Sequence, residues 1–360
     1  MSAHEITVYG ATGYTGRLVC ARLAAMGADF AIAGRDPRKL EALARRLGGA
    51  ASREIIVAPL EEPAALVRMA SRARVVLDCA GPFARFGRPV QDAAIEAGAH
   101  FLDITGEHPW MRETFARDAE ARDAGVALIN AVGFDVVPTD AAAALAAEAA
   151  GAPIARVRIG FATRGARPTQ GTTRSALEAA HLGGLAFVDG AWRVEPVGAE
   201  LWEVPFREPI GTRLCPSVPW GDVATAPRTT GAREVRTFTS VPRRALKWLP
   251  AARALAPVLG WPPVAAFAER RVRRLPEGPT DAERATGVFA VHAEAQGARG
   301  THAIWVTGRD GYDFTAASAA WCARAAADPS FKKTGALTPT QAFGARTMLD
   351  ALAADGVAWG

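Results

Sequence analysis

The chain has 360 residues, which exceeds one ordinary domain, so we expect two domains in a soluble globular protein with 49% hydrophobic and 22% charged residues. The net charge of +5 suits an anionic small-molecule ligand; nucleic-acid binding is not expected, because most basic residues alternate with acidic ones. The first predicted strand has no apolar leader before it, and the four cysteines and six histidines lack metal-ligand spacing, so we expect a cytoplasmic location and no metal.

The first predicted strand, Ile6–Tyr9, leads directly into a glycine-rich loop. Glycines at three-residue spacing let the backbone turn tightly and approach a phosphate, and the N-terminus of the helix that follows adds a partial positive charge. A strand before the glycines and a helical pattern after them make the motif specific. It predicts a dinucleotide site and hydride-transfer chemistry, with cofactor contacts from Gly10, Thr12, Gly13, Tyr14, Thr15 and Gly16.

The second predicted strand, Phe30–Ala33, ends in Gly34, Arg35 and Asp36. An NAD site usually places an acidic residue here to bind the ribose hydroxyls, whereas a guanidinium suits the 2′-phosphate of NADP. Arg35 therefore favours NADP as the cofactor. Asp36 has two alternative roles, a contact to the ribose or the N-cap of a helix that begins at Pro37.

Strands and helices alternate through the first 135 residues, which predicts a Rossmann-type, doubly wound parallel sheet over 1–135. One helix is predicted over Pro37–Leu47, and an alanine-rich helix that follows Asp140 is expected to end near Gly151. The further predicted strands are Ile55–Ala58, Arg74–Cys79, Ala99–Asp103 and Val126–Asn130.

Beyond residue 135 the pattern changes, and Arg156–Phe161 alternates as a half-buried strand does. Residues 136–330 are predicted to form a second, α+β domain on a mostly antiparallel sheet, with a hairpin turn at Gln296–Gly300. Residues 331–360 are expected to form a loop around Gly335 and then one helix to about Ala354, which returns to the Rossmann domain. The other strands predicted in the second domain are Glu234–Ser240, Thr286–Ala295 and Thr301–Thr307.

Residues 243–274 contain eight basic side chains, one acidic side chain (Glu269) and many large apolar ones. Four prolines exclude a single spanning helix. Three interpretations remain: peripheral contact with an anionic membrane, a lid over an apolar substrate, or an insertion that packs on the second domain or on a second copy. A homodimer is the default expectation, because twofold dimers are the commonest oligomers.

Several motifs go beyond the generic dinucleotide fold. They are Val75–Phe83, Phe101–Glu107, Gly133–Asp140, Gly171–Ser175 and Gly335–Pro339. Together they resemble the saccharopine dehydrogenase-like oxidoreductases, and more narrowly the bacterial branch that includes the trans-acting enoyl reductases. The resemblance implies an NADP-binding Rossmann domain with a second domain inserted before the C-terminal helix. It also implies cofactor contacts from Gly10, Gly13, Gly16 and Arg35 and from the turn Ala80, Gly81, Pro82 and Phe83.

The preferred function is NADP-dependent reduction of an activated C=C bond in a lipid-like or polyketide-like substrate. One alternative is a saccharopine-type reaction at a C–N bond, for which Arg164, Arg167 and Arg174 could hold substrate carboxylates. Another is an NADP-binding adaptor without turnover. The candidate catalytic residues are Asp103, Asp135 and His181, as proton donors, although tying down loops is an alternative role for both aspartates.

Overall fold

The computed structural model describes residues 4–48, 54–165, 167–180, 183–259 and 261–360. These residues form two compact units. Unit 1 comprises Met1–Thr105, Pro109–Phe134 and Tyr312–Phe343, and unit 2 comprises Gly106–His108, Asp135–Gly311 and Gly344–Gly360.

Unit 1 is built on a seven-stranded sheet in the order β15-β6-β5-β4-β1-β2-β3, and every neighbouring pair among its described strands is parallel. The predicted doubly wound parallel sheet is therefore confirmed. The first elements are β1 (His4–Tyr9), α1 (Tyr14–Ala25), β2 (Phe30–Gly34), α2 (Pro37–Leu47), β3 (Ile55–Val57), α3 (Pro63–Ala70), β4 (Ala73–Asp78), α4 (Phe83–Glu96), β5 (His100–Asp103), α5 (His108–Ala116), α6 (Asp118–Asp123) and β6 (Ala127–Ile129).

Continuous apolar runs explain why these strands lie inside the sheet. All five residues of β2 and all three residues of β6 are buried, as expected for parallel strands covered on both faces. Helix α2 begins where the sequence predicts, because Asp36 caps its first amides and Pro37 occupies the first turn. Its buried face carries Leu40 and Leu43.

Unit 2 is built on a nine-stranded sheet with the main order β10-β11-β12-β7-β13-β14-β16, while β8 and β9 form a hairpin on β12. Among its described strand pairs, β12 with β7 is the parallel one and the others are antiparallel, so the mostly antiparallel prediction is confirmed. Its elements up to the hairpin are α7 (Val137–Ala150), β7 (Arg156–Arg164), α8 (Gln170–Ala180), β8 (Gly184–Val188), β9 (Ala191–Glu195), β10 (Leu201–Val204), β11 (Arg213–Val218), α9 (Asp222–Thr230), β12 (Glu234–Thr239), α10 (Arg243–Leu246), α11 (Leu249–Leu259), α12 (Pro262–Val272), α13 (Asp281–Ala285), β13 (Val288–Gly297) and β14 (Gly300–Gly308).

The last part of the chain differs from its prediction in two ways. The remaining elements are α14 (Gly311–Ala327), β15 (Gly335–Leu337), α15 (Pro339–Phe343), α16 (Ala345–Ala351) and β16 (Ala358–Trp359). The expected loop at Gly335–Leu337 is a strand, and the expected single helix is two helices interrupted at Gly344, whose φ of +84° is left-handed.

Tertiary pairing makes β15 a strand, because three residues carry too little periodicity to signal one. It pairs in parallel with β6, with Gly335 opposite Ala127 and Leu337 opposite Ile129. Asp118 Oδ1 accepts a hydrogen bond of 2.8 Å from the amide of Ala336. Strand β15 therefore forms one edge of the unit 1 sheet, whereas Gly344–Gly360 belongs to unit 2.

Buried aromatic side chains on the strands of unit 2 supply much of its core. Phe238 on β12 is fully buried, and its ring lies 5.2 Å from the ring of Trp202 on β10. Phe267 on α12, by contrast, is 55% exposed. The same substitution at these two positions separates core packing from surface effects.

We expect Phe238→Ala to lower the free energy of unfolding by about 3–5 kcal/mol, because it leaves a cavity in a packed sheet. Phe267→Ala should change it by about 0.5 kcal/mol or less, because the ring is already in contact with water. Urea unfolding followed by circular dichroism measures both. Equal losses of unfolding free energy in the two variants would contradict the difference in burial between Phe238 and Phe267.

Candidate functional site

The glycine loop of unit 1 is shaped by close backbone packing. Gly10 has a left-handed φ of +70°, and a Cβ atom on it would lie 2.8 Å from the amide nitrogen of Ala80. A Cβ on Gly16 would overlap the carbonyl oxygen of Gly10. Glycine is therefore required at both positions for the loop to lie against β4 and for α1 to begin beneath it.

The start of α1 fits a phosphate. Gly13 is the N-cap and has no side chain to accept from the first-turn amides, and the first turn carries no acidic residue. The Gly13 amide donates to the Gly10 carbonyl at 3.0 Å, and Arg17 Nη1 donates to the Thr12 carbonyl at 2.8 Å, so the loop is held from both sides. A helix N-terminus of this kind attracts an anionic group.

The two residues after β2 have separate roles. Asp36 Oδ1 accepts from the amides of Arg38 (3.1 Å) and Lys39 (3.2 Å), which is the capping role that the sequence allowed. Arg35 is exposed and forms no ion pair within the described residues. Its guanidinium is therefore available to a 2′-phosphate, while the neighbouring carboxylate is engaged by a helix.

The turn from Ala80 to Phe83 is held by a buried acid at the end of β4. Asp78 Oδ1 accepts from the amide of Ala80 at 2.8 Å, and the Cys79 amide donates to the carbonyl of Tyr9 at 2.9 Å. Burial raises the pKa of Asp78 well above its ordinary value. Phe83 begins α4 and is 6% exposed, which anchors the far side of the turn.

Asp103, predicted as a catalytic acid, is fully buried at the end of β5. Its Oδ1 accepts from the amides of Ala131 (2.8 Å) and Thr105 (3.1 Å), and its Oδ2 accepts from Trp110 Nε1 (2.7 Å) and Asn130 Nδ2 (2.6 Å). Burial raises its pKa to about 6, although these four hydrogen bonds lower it. The geometry supports a role in joining the ends of β5 and β6.

Asp135, in unit 2, has a different environment. It is half-buried, and its side chain accepts no hydrogen bond from the described residues. A Cβ on Gly106 would lie 2.6 Å from Asp135 Oδ2, so the absence of a side chain at Gly106 makes room for the carboxyl. Burial, and secondarily the charge of Glu107, raises the pKa of Asp135 to about 7.

The surroundings of Asp135 are held in place by contacts within unit 2. Ser175 Oγ on α8 donates to Glu107 Oε1 at 2.8 Å, and Trp220 Nε1 donates to the backbone carbonyl of Asp135 at 2.6 Å. The ring of Trp220 packs on that of Phe161, with centroids 4.3 Å apart. Asp135 therefore carries an exchangeable proton near neutral pH in a fixed, partly apolar setting.

The remaining candidate residues from the sequence are His181 and three arginines. His181 lies outside the described residues. Arg164 donates to the carbonyl of Pro209 at 3.0 Å, while Arg167 and Arg174 form ion pairs with Glu283 (3.2 Å) and Glu269 (3.1 Å). No group of three histidine, cysteine, aspartate or glutamate side chains in the described part of the chain could hold a metal ion.

Sequence reasoning missed three residues that shape these sites. Asp78 had a signal, since it is an acid at the end of a strand just before the Gly-Pro turn. Ser175 lay within a motif but carried no role. Trp220 could not have been found, because it is 85 positions from its partner Asp135.

Comparison with known proteins agrees with this geometry. Residues 6–129 match the family described as saccharopine dehydrogenase NADP binding domain. Over 140 residues, 38% of this chain, the chain is 40% identical to a trans-acting enoyl reductase of Mycobacterium ulcerans (strain Agy99) and 39% identical to one of Mycobacterium tuberculosis (strain ATCC 25618 / H37Rv). The matched region spans about a third of the length of those relatives, 34% in each case.

A solved structure is also similar to this chain over nearly its whole length. Apo saccharopine dehydrogenase (L-Glu forming) from Saccharomyces cerevisiae is similar with a TM-score of 0.67, over 99% of both chains and at 16% identity. That identity shows a shared fold alone. The glycine loop, the exposed Arg35 and the match of residues 6–129 to the saccharopine dehydrogenase NADP binding domain family all support NADP as the cofactor.

Proposed function

We propose that the protein is an NADP-dependent oxidoreductase that reduces an activated C=C bond of a lipid-like or polyketide-like substrate, with Asp135 as the proton donor. The observation that carries this proposal is a half-buried carboxyl with a pKa of about 7 and no hydrogen-bond donor among the described residues, in a chain with an NADP-binding domain. The relatives named trans-acting enoyl reductase support the choice of reaction.

The chemistry requires a hydride and a proton on adjacent atoms. When bound, NADPH supplies the hydride. The other carbon of the double bond must receive a proton, and a protonated Asp135 carboxyl has a pKa suited to giving one at neutral pH. Glu107, which accepts a hydrogen bond from Ser175, contributes to the raised pKa of Asp135 and so favours its protonated form.

A saccharopine-type reaction at a C–N bond is the second candidate, because the fold is shared with a saccharopine dehydrogenase. That reaction class uses substrates with several carboxylates, which call for free guanidinium groups. The arginines proposed for this task, Arg167 and Arg174, are already paired with glutamates, and Arg164 binds a backbone carbonyl. These contacts favour C=C reduction.

The substrate can be identified with NADPH deuterated at C4, incubated with the pure protein and an extract of its host, followed by mass spectrometry. Deuterium on a carbon of a newly saturated C–C bond supports the proposal and names the substrate. Deuterium on a carbon that bears nitrogen would replace it with the second candidate. Tight NADPH binding without any transfer would favour a non-catalytic adaptor.

Replacing Arg35 by Ala should raise the dissociation constant of NADPH about 10- to 100-fold and leave that of NADH nearly unchanged, because only NADPH carries the 2′-phosphate. Isothermal titration calorimetry measures both constants. Arg46→Ala, at an exposed position in the last turn of α2, is the control and should affect neither cofactor. An equal loss for both cofactors would contradict the role given to Arg35.

Replacing Asp135 by Asn should lower kcat about 100-fold or more while NADPH affinity is retained, because the proton donor is lost. In the wild type, kcat for reduction should fall as the pH rises through about 7, where Asp135 ionises, and the variant should lack this step. Glu107→Gln removes the neighbouring charge, so the step should move to lower pH. Steady-state kinetics as a function of pH measure kcat for the wild type and both variants. If kcat of Glu107→Gln falls at the same pH as that of the wild type, Glu107 does not raise the pKa of Asp135.

Stability against pH tests the same pKa without any substrate. Because the pKa of Asp135 rises from 3.8 in the unfolded chain to about 7 on folding, the folded state binds this proton more tightly. This carboxyl therefore costs stability progressively as the pH rises from 3.8 to about 7. The free energy of unfolding of Asp135→Asn, measured with urea, should rise relative to that of the wild type between pH 3.8 and about 7. A difference between the two proteins that does not change with pH would contradict the raised pKa of Asp135.

A further inference from the structure

Three consecutive helices of unit 2, α10 to α12, and the short connections beside them present large apolar side chains to solvent. Trp248 is 72% exposed, Trp261 is 61% exposed and Phe267 is 55% exposed. Val258 and Leu275 are also exposed. Isolated exposed apolar residues are ordinary, but so many within thirty residues of chain mark an interaction surface.

The inner side of the same segment is anchored to unit 2. On α12, Val264, Ala268 and Val272 recur every four residues on the less exposed side, and Val272 is 3% exposed. Arg174 on α8 forms an ion pair of 3.1 Å with Glu269 on α12. On α11, Arg253 donates to the backbone carbonyls of Val197 and Gly198. The exposed rings are therefore the outer face of docked helices.

The outer face is strongly basic. Its exposed cations have no carboxylate partner within the described residues, and they are Arg243, Arg244, Lys247, Arg270 and Arg274. The one acid of the segment, Glu269, is bound by both Arg174 and Arg273. The positive charge of this face is therefore left for an anionic partner outside the chain.

We propose that α10 to α12 dock on an anionic lipid surface, lying in the interface with Trp248, Trp261 and Phe267 inserted and the cations at the headgroups. Rings that protrude between unpaired cations match a lipid interface, where tryptophan prefers the headgroup boundary. No helix in the described residues is long and apolar enough to cross a membrane, and prolines at 250, 257, 262 and 263 divide the segment into short pieces. The contact is therefore peripheral.

Co-sedimentation with vesicles tests this surface without any substrate, so its outcome is independent of the proposed reaction. The full-length protein should bind vesicles of phosphatidylcholine with phosphatidylglycerol at least about tenfold more tightly than pure phosphatidylcholine vesicles. Brominated lipids should quench its tryptophan fluorescence. Trp248→Ala/Trp261→Ala should weaken binding about tenfold or more and remove most of the quenching.

Matched variants provide the controls. Arg270→Glu/Arg274→Glu should abolish the preference for anionic vesicles, whereas Arg324→Glu/Lys332→Glu, with the same charge change on exposed positions of unit 1, should retain most of it. Val194→Ala/Leu201→Ala removes exposed apolar groups elsewhere in unit 2 and should bind as wild type does. Circular dichroism checks that each variant is folded.

Four results would overturn the proposal, of which three concern protein that binds vesicles. These three are equal binding to neutral and anionic vesicles, equal losses in segment and control variants, and anionic binding without quenching by brominated lipids. The last result would indicate simple electrostatic adsorption. Absence of any vesicle binding would overturn it as well and direct attention to an acidic protein as the occupant of this face.

Discussion

The cofactor site depends on how closely three pieces of backbone can approach one another. Gly10 lies against Ala80, and Gly16 lies against the carbonyl of Gly10, with no space for a Cβ atom at either glycine. This contact joins the loop after β1 to the turn after β4 and sets where α1 begins. The amides at the start of α1 and the turn that leads to Phe83 derive their positions from it.

Three aspartates have different roles because the residues around them differ. Asp78 and Asp103 are fully buried and hold backbone amides, so each positions a turn at the end of a strand. Asp135 is half-buried, receives no hydrogen bond from the described residues and lies near Glu107, which leaves its proton available near pH 7. Of the three, it has the properties that proton donation requires.

The basic residues of unit 2 also divide into two groups. Three arginines on the sheet have their charge balanced by glutamates of the same unit. The ion pairs are Arg156 with Glu234, Arg158 with Glu200 and Arg236 with Glu195. Between residues 243 and 274, by contrast, several exposed cations have no carboxylate partner among the described residues, among them Arg243, Arg244, Lys247, Arg270 and Arg274. The distinction explains why a modest net charge of +5 can coexist with one strongly cationic face.

The sequence by itself determined the parallel sheet, the glycine loop, the NADP preference and the start of α2, because each rests on contacts between residues near in the chain or on strict periodicity. Tertiary structure decided the rest. Gly335–Leu337 is a strand only because β6 offers an edge to pair with. The distinction between Asp103 and Asp135 likewise could not be predicted, since hydrogen-bond donors and burial come from residues far apart in sequence. Local pattern specifies elements, whereas the protonation and availability of a side chain depend on what folding brings around it.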